Sequence, residues 1–171
     1  MVRYTFHGAK LLFVGINPHP GSFQRGVPFS NNKTFWYLLS RAGLLDESIE
    51  DLRDDEVLRR IYRRKFTQTY KLGFVNVIDR PTEDVTYLTH GEEIAGQRRL
   101  RRIIRQEKPR VICFVGKIAF QKFCGTKNFS FGWQEDIDSS RIYVMHFPLH
   151  GKASVRIQEL KDAGRAADIL T

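Results

Sequence analysis

Three short segments of the sequence combine hydrogen-bond donors with prolines, and each of them, like the single residue Lys117, follows an apolar stretch that has the composition of a buried strand. They carry amide, imidazole, hydroxyl, guanidinium and ammonium groups but few carboxylates. Prolines fix the backbone angle φ, so the segments are expected to be rigid. The pattern predicts a rim that binds an anion. These donor-rich segments are residues 17–22 (NPHPGS), residues 79–82 (DRPT), Lys117 and residues 146–152 (HFPLHGK).

The apolar stretches before these segments are near-continuous rather than alternating, which is typical of parallel strands covered on both faces. They are residues 11–15, 74–78, 111–116 and 142–145. The segments between and after them have the apolar stripes, acidic starts and basic ends of helices. Helices are predicted at residues 31–42, 54–65, 92–107, 117–124 and 154–170.

Strands that alternate with helices predict a three-layer α/β/α sandwich around a central, mainly parallel sheet of four or five strands. No repeat, low-complexity tract or linker interrupts the 171 residues, so we expect a single domain over residues 1–171. In such a sheet, ligands bind beyond the carboxyl ends of the strands. The donor-rich segments are therefore expected to converge on one cleft.

Positive charge exceeds negative charge by a margin that favours an anionic partner. The chain has 28 Lys and Arg residues against 19 Asp and Glu residues, which gives a formal charge of +9. Nucleic acid is the first candidate partner, and an anionic membrane surface is the second. Arginine-rich stretches at residues 59–65 and 98–110 are candidates for non-specific phosphate contacts, although most such charges are simply solvated.

Other classes of protein are disfavoured by what the sequence contains. No apolar run reaches the roughly 18 residues of a membrane span, and the N-terminus lacks the order of a secretory signal. We therefore expect a cytoplasmic protein without a membrane partner, associated with the nucleoid if the source is prokaryotic. We also expect a monomer. Cys113 lies inside an apolar run and Cys124 ends a predicted helix, without the spacing of metal ligands. We expect no metal and no cofactor.

Several stretches occur in the order found in a known enzyme family. Gly15-Ile16-Asn17-Pro18 matches the family's first motif, and Phe29 follows Asn17 at the family's spacing. The match continues through Phe35-Trp36, Asp79-Arg80-Pro81-Thr82 and the stretch from Lys108-Pro109 to Val115-Gly116-Lys117. Over most of its length the chain thus resembles the mismatch-specific uracil-DNA glycosylases and thymine-DNA glycosylases. This resemblance implies the uracil-DNA glycosylase fold.

The resemblance also implies a base-excision repair enzyme that flips a base out of double-stranded DNA and hydrolyses its N-glycosidic bond, leaving an abasic site. The base would be uracil or a related deaminated or damaged base in a mismatch. The family uses Asn17 to orient the attacking water, since an amide does not titrate and cannot act as a general base. Phe29 is expected to stack on the base, and backbone N–H groups near Ile16 and Phe29 are expected to bind its polar edge. Ser22 and Asn76 occupy family positions beside the pyrimidine ring.

The family's second motif is where this sequence differs. The family usually places Asn-Pro-Ser or a related sequence after the last core strand, whereas here the stretch is MHFPLHGK and only Pro148 clearly matches. Leu149 is the candidate wedge for the space that a flipped base leaves, and His150 or Lys152 is the candidate contact to a base edge or phosphate. Two residues at the start of the predicted last helix are further phosphate candidates: Ser154 and Arg156.

Some loop residues support more than one interpretation. His150 is either a donor to the base or an exposed loop histidine, while His146 is predicted to be a satisfied histidine near the core. Asp79 is predicted to pair with Arg80 or to cap the next turn. Two further carboxylates are alternative activators of the water: Glu83 and Asp84.

Three functional classes stay open on the sequence alone. A monofunctional glycosylase is favoured, because no lysine is obviously placed for Schiff-base lyase chemistry. A non-catalytic nucleic-acid-binding module on the same fold is the alternative, but Asn17 and Phe29 argue against lost chemistry. A nucleotide hydrolase or transferase would use the first loop to hold phosphate, yet the sequence lacks both GxxxxGK[ST] and a metal-binding carboxylate cluster. The range of bases and the preference for the opposite base are not fixed by the sequence.

Overall fold

The computed structural model describes residues 1–171 and contains one five-stranded sheet with the strand order β2-β1-β3-β5-β4. Four strands are parallel, and β4 is antiparallel to β5. The expectation of a mainly parallel α/β sheet is therefore confirmed. The strands are β1 (Leu11–Gly15), β2 (Leu72–Asn76), β3 (Val111–Val115), β4 (Gly132–Ile137) and β5 (Ser140–Met145).

Strand β4 is absent from the sequence prediction. Its residues are polar or half-exposed, as expected for an edge strand that has one paired side. The apolar runs that identify the parallel strands come from burial on both faces, and every residue of β1, β2 and β3 is buried. Strand β4 gives no such signal because it is partly exposed, whereas β2, at the other edge of the sheet, is fully buried.

The five predicted helices are present, with ends shifted by no more than about one turn. A short helix, α1, replaces part of the loop expected after β1. His19 caps the start of this helix, because its ring Nδ1 accepts a hydrogen bond from the Gly21 N–H. Pro20 occupies the first helical position. The helices are α1 (Pro20–Arg25), α2 (Thr34–Arg41), α3 (Ile49–Leu52), α4 (Asp55–Arg60), α5 (Glu93–Glu107), α6 (Lys117–Cys124) and α7 (Ala153–Ala166), with a π-helical turn at Ile61–Lys65 and a 3-10 turn at Val85–Tyr87.

Two hydrophobic cores lie on opposite faces of the sheet, because successive strand side chains point to opposite sides. Leu11 and Phe13 of β1 belong to the core that packs under α2 and α7. Leu12 and Val14 belong to the core that packs under α5 and α6. The result is the expected three-layer arrangement. No helix combines the length and apolar character that crossing a bilayer requires.

Candidate functional site

A cavity of about 550 Å³ lies beyond the carboxyl ends of the four parallel strands. Every donor-rich segment contributes to its wall. The predicted site residues that line it are Ile16, Asn17, Ser22, Phe29, Asn76, Pro148, Leu149 and His150. Three others lie outside its wall: Lys152, Ser154 and Arg156.

Asn17 follows β1 and has an amide of fixed orientation. Its Nδ2 donates to the Arg80 carbonyl oxygen at 3.0 Å and to Thr82 Oγ1 at 2.8 Å. The Thr82 hydroxyl in turn donates to the Asp84 carbonyl oxygen at 2.8 Å. Both amide hydrogens are thereby committed to the loop after β2, and Oδ1 is left as the acceptor of this side chain.

Phe29 is held at the cavity by an unusual backbone conformation. Its φ of +56° lies in the left-handed region, which a bulky residue adopts only where its surroundings enforce it. Ser22 supplies part of that enforcement, since its Oγ accepts the N–H groups of Ser30 at 3.1 Å and of Asn31 at 2.9 Å. Trp36 adds a hydrogen bond from Nε1 to the Pro28 carbonyl oxygen at 2.7 Å.

The Phe29 ring packs against the core on one side and lines the cavity on the other. Its centroid lies 4.4 Å from that of Phe35 and 5.4 Å from that of Phe74. Ser22 lines the same cavity but is buried, and its Oγ already accepts hydrogen bonds from two backbone N–H groups. Its visible role is to shape the loop that presents Phe29.

Asn76, the last residue of β2, is buried and lines the cavity beside Phe29. Its Oδ1 would lie only 2.6 Å from a Cβ placed on Gly15. Glycine at position 15 therefore permits the amide to approach the end of β1. The Asn76 backbone carbonyl accepts a hydrogen bond from Arg99 at 2.7 Å, which anchors the strand end.

The loop after β5 places Pro148, Leu149 and His150 at the cavity, with 51 % of Leu149 exposed. The structure corrects the expectation for Arg156, which is only 6 % exposed and donates to the His150 carbonyl oxygen. Because its guanidinium is turned inward, Arg156 supports the loop rather than facing a phosphate. Lys152 and Ser154 are exposed at the start of α7.

His146 is paired, as expected, but it also lines the cavity. Its backbone N–H donates to Glu159 Oε1 at 3.1 Å, and its Nδ1 lies 3.1 Å from both carboxylate oxygens of Glu159. The Phe131 ring stacks on the imidazole with a centroid distance of 3.8 Å. The Tyr143 hydroxyl donates to Glu159 Oε2 at 3.3 Å.

The loop carboxylates have structural partners. Asp79 pairs with Arg99 at 2.9 Å, and it accepts from the Tyr4 hydroxyl, so the predicted pair with Arg80 is wrong. Burial and then the hydrogen bond to Asp79 raise the pKa of Tyr4. Asp84 accepts the Thr86 N–H, which lowers the pKa of its carboxyl, and together with Glu83 it lines the cavity on the β2 side.

The sequence did not predict the roles that three residues have in the site. Thr82 belonged to a recognised motif, but only the folded loop shows that it receives the Asn17 amide. Glu159 is a carboxylate on the buried side of the last helix. A charged residue at such a position was the sequence feature that could have identified it. Phe131 precedes an edge strand that the sequence did not reveal.

The comparison with protein families agrees with this geometry. The family model described as the Uracil DNA glycosylase superfamily matches residues 3–160. That range includes the whole sheet and every residue that lines the cavity. The match covers most of the chain, and the protein therefore belongs to the uracil-DNA glycosylase superfamily.

Proposed function

We propose that the protein is a monofunctional DNA glycosylase that releases uracil, or a related deaminated or damaged base, from mismatched double-stranded DNA. Membership in the superfamily supports glycosylase activity on DNA. The mismatch preference rests on the resemblance of the GINP and DRPT segments to the mismatch-specific enzymes. The roles given below to single residues belong to the same proposal.

The orientation of the Asn17 amide is the observation that carries this proposal. With both Nδ2 hydrogens donated to Arg80 and Thr82, Oδ1 accepts a hydrogen from a water and leaves the water's lone pair free. Water placed beneath C1′ of a flipped deoxynucleotide is then oriented for attack without a titrating base. Holding a nucleophile in the right geometry is itself a large part of catalysis.

The remaining cavity residues serve the leaving base. The bond from C1′ to the base nitrogen breaks, its electron pair leaves with the base, and the sugar becomes oxocarbenium-like. Water oxygen then bonds to C1′ and loses a proton to solvent. Donors around the base stabilise the charge that develops on its oxygens. Phe29 offers a ring for stacking, and Asn76 offers an amide beside it.

The test is release of the base from labelled duplexes that carry U opposite G, T opposite G, U opposite A, or hypoxanthine. The reactions contain EDTA, and alkali then cleaves the abasic sites. Asn17→Ala is expected to lower the single-turnover rate by about 100-fold or more, because the water loses its orientation, while duplex binding is retained. Asn128→Ala, at an exposed asparagine outside the cavity, is the matched control.

Binding without release from any of these duplexes would favour the non-catalytic alternative. The lyase route is tested separately, because Lys117 is the lysine that lines the cavity. Attack by an amine would give a Schiff base that borohydride reduces to a stable protein–DNA adduct. For a hydrolytic enzyme we expect abasic product and no adduct.

A further inference from the structure

A second group of positive charges lies outside the cavity, on the helical segment that precedes β2. An open depression of about 450 Å³ on this segment is lined by charged side chains alone: Glu56, Arg59, Arg60, Arg63 and Arg64. No apolar side chain contributes to its wall, so an apolar ligand has little to contact there. The chemistry of the depression fits a ligand that carries several negative charges.

Three of these arginines have no carboxylate partner, and we call Arg60, Arg63 and Arg64 the arginine patch. All three are exposed, and none forms an ion pair. Arg59, by contrast, pairs with Glu56. A guanidinium group stays charged throughout the physiological pH range, and its planar fork of N–H donors matches the oxygens of a phosphate. The patch therefore offers three charges of the kind that phosphates bind.

The local fold places these three guanidinium groups on one surface. Helix α4 continues into the π-helical turn at Ile61–Lys65, where the Phe66 N–H donates to the Ile61 carbonyl oxygen at 2.9 Å. Ile61 and Tyr62 are buried, so the arginines before and after them face solvent. Turns of this kind are rare and often occur at functional sites.

A short chain of contacts fixes the patch relative to Phe29. The Tyr62 ring packs edge-on against Trp36 at a centroid distance of 6.1 Å. Trp36 in turn donates from Nε1 to the Pro28 carbonyl oxygen at 2.7 Å, and Pro28 directly precedes Phe29. Trp36 and Tyr62 both belong to the hydrophobic core under α2. Core packing therefore sets the distance between the patch and the cavity.

Helix α4 begins at the rim of the cavity. Asn32 lines the cavity, and the next residue, Lys33, contacts the Asp55 carboxylate at 2.7 Å. Asp55 is the first residue of α4, and Arg25 also contacts it, at 3.5 Å. Because two cations neutralise this carboxylate, it does not repel a phosphate that lies between the cavity and the patch.

The distance from the patch to the flipped nucleotide is limited by the chain between them. A Cβ placed on Gly26 would lie 3.8 Å from Arg63 Nη2. Phe29 follows three residues later, and that stretch of chain spans at most roughly 11 Å. The Arg63 guanidinium thus lies within roughly 16 Å of the Phe29 backbone. At about 3.4 Å for each base pair, this length corresponds to roughly five base pairs of duplex.

We propose that the arginine patch binds the phosphate backbone of the DNA duplex on one side of the flipped nucleotide, up to about five base pairs away. This proposal rests on the proposed function, since it uses the position given to the flipped base beside Phe29. One arm of the duplex contacts the patch, and the other arm leaves the cavity on the opposite side. DNA is the occupant that fits best, because a duplex bound at the cavity already carries a row of phosphates within reach of the patch.

The test compares duplexes whose two arms differ in length. Each duplex carries a tetrahydrofuran abasic analogue, which sets the register. One arm is extended from about 4 to about 12 base pairs, so that it ends before or after the reach of the patch, while the other arm stays at about 12. For the wild type, extension of one arm is expected to steepen the slope of log affinity against log salt by about 0.9 for each arginine that binds a phosphate, or about 2.7 for three. Extension of the other arm is expected to change the slope much less.

The variant Arg63→Gln/Arg64→Gln is expected to reduce this arm-specific increment by about 1.8, because two phosphate contacts are lost. Its matched control is Arg102→Gln/Arg105→Gln, which removes the same charge from α5 on the opposite face of the sheet. The control should keep the full increment. Both variants should bind the duplex with the short arm as the wild type does.

Neutral methylphosphonate linkages in the duplex test the contact with the wild-type protein, even if a variant fails to fold. At about five base pairs from the analogue, on the arm that gives the increment, they should remove it, whereas on the other arm they should not. An increment that survives in Arg63→Gln/Arg64→Gln, or one that both arms give equally, would overturn the proposal. Patch-dependent binding to phosphatidylserine vesicles without an arm-specific increment would also overturn it, and would assign the patch to an anionic membrane surface.

Failure of this proposal is distinguishable from failure of the proposed function. Release of uracil by the wild type tests the glycosylase, whereas the abasic analogue tests only backbone contacts. A wild type that shows the increment but releases no base would support the patch and overturn the proposed chemistry. A wild type that releases uracil but shows no difference between the two arms would overturn this inference alone.

Discussion

At the scale of single residues, the site depends on an amide that cannot rotate. The two ends of an asparagine amide have opposite hydrogen-bonding preferences, so a rotated side chain would present donors to the water in place of an acceptor. Thr82 blocks that rotation, because its hydroxyl donates to the Asp84 carbonyl and so must accept from Asn17. Thr82 is therefore a positioning residue for the proposed hydrolysis.

Thr82→Val removes this hydroxyl with little change in side-chain volume. The amide of Asn17 then loses one of its two acceptors, and we expect the single-turnover rate to fall on the order of 10-fold, which corresponds to one lost hydrogen bond. Affinity for the uracil duplex should change much less. Thr82→Ser keeps the hydroxyl and should restore the rate. Equal losses in the two variants would mean that packing of Thr82, and not its hydroxyl, matters.

The residues that carry recognisable motifs could be placed in the site from sequence, but their supports could not. Asn17, Phe29 and Asn76 follow strands or a motif, and they line one cavity as expected. The sequence did not reveal that the Ser22 hydroxyl oxygen accepts hydrogen bonds from two backbone N–H groups. Nor did it reveal that Arg156 points inward. Such facts depend on side-chain packing between segments that are distant in sequence.

At the scale of elements, the ion pair between Arg80 and Glu92 holds the loop from β2 to α5 at the start of that helix. Arg80 donates from Nε and Nη2 to the two carboxylate oxygens of Glu92 at 2.7 and 2.8 Å, and from Nη2 to the Tyr87 carbonyl at 2.9 Å. The carbonyl of Arg80 is the second acceptor of the Asn17 amide. The pair thus connects the start of α5 to the proposed catalytic loop.

Glu92→Gln tests this connection through its pH dependence. Hydrogen bonds from Arg80, and then from the Thr89 backbone, lower the pKa of Glu92 from 4.5 to about 2. A lowered pKa in the folded state stabilises the fold above the unfolded pKa, and that contribution is lost as the pH falls toward the folded value. We therefore expect a lower Tm than wild type above pH 4.5 and a difference that vanishes near pH 2.

Thermal unfolding followed across this pH range provides the measurement. Glu50→Gln serves as the control, since Glu50 pairs with Arg53 only three residues away and both side chains are exposed. A difference in Tm for Glu92→Gln that stays constant down to pH 2 would show that the Glu92 charge does not hold the loop.

Four of the five strands could be read from the sequence, because parallel strands buried on both faces leave continuous apolar runs. Helix α1 was missed for a different reason. It is six residues long and starts at Pro20, so turn-forming residues dominate its sequence, and a ring nitrogen of His19 replaces the usual hydroxyl or carboxylate at its beginning.

At the scale of the whole molecule, the basic residues that give the net charge of +9 are not all on the surface near the cavity. Helix α5 connects the parallel strands β2 and β3, so it runs antiparallel to them and ends at the amino edge of the sheet. Its exposed Arg102 and Arg105 therefore lie toward the edge opposite the cavity. Lys152, in contrast, follows the loop of β5 at the cavity edge.

This separation predicts which charges contribute to DNA binding. Lys152→Gln is expected to reduce the slope of log affinity against log salt by about 0.9, the change for one lost phosphate contact. The double variant Arg102→Gln/Arg105→Gln removes more charge but should leave the slope unchanged. Fluorescence anisotropy on an undamaged duplex over a salt series measures both. A reduced slope in the double variant would mean that DNA also contacts the α5 side.

The antiparallel direction of β4 has a consequence for how this enzyme can be altered. The other strands line the cavity with residues near their carboxyl ends or in the loops that follow, but Phe131 precedes β4, and only the reversed direction of β4 brings it to the same edge. Strand β4 pairs with β5 alone, and their pairing is already irregular between Gln134 and Ile137. We therefore expect the edge strand β4 to tolerate insertions and deletions better than β1, β3 and β5, each of which is paired on both sides. Engineering of substrate range should begin there, where one wall of the cavity can be rebuilt while Asn17 and Phe29 keep their places.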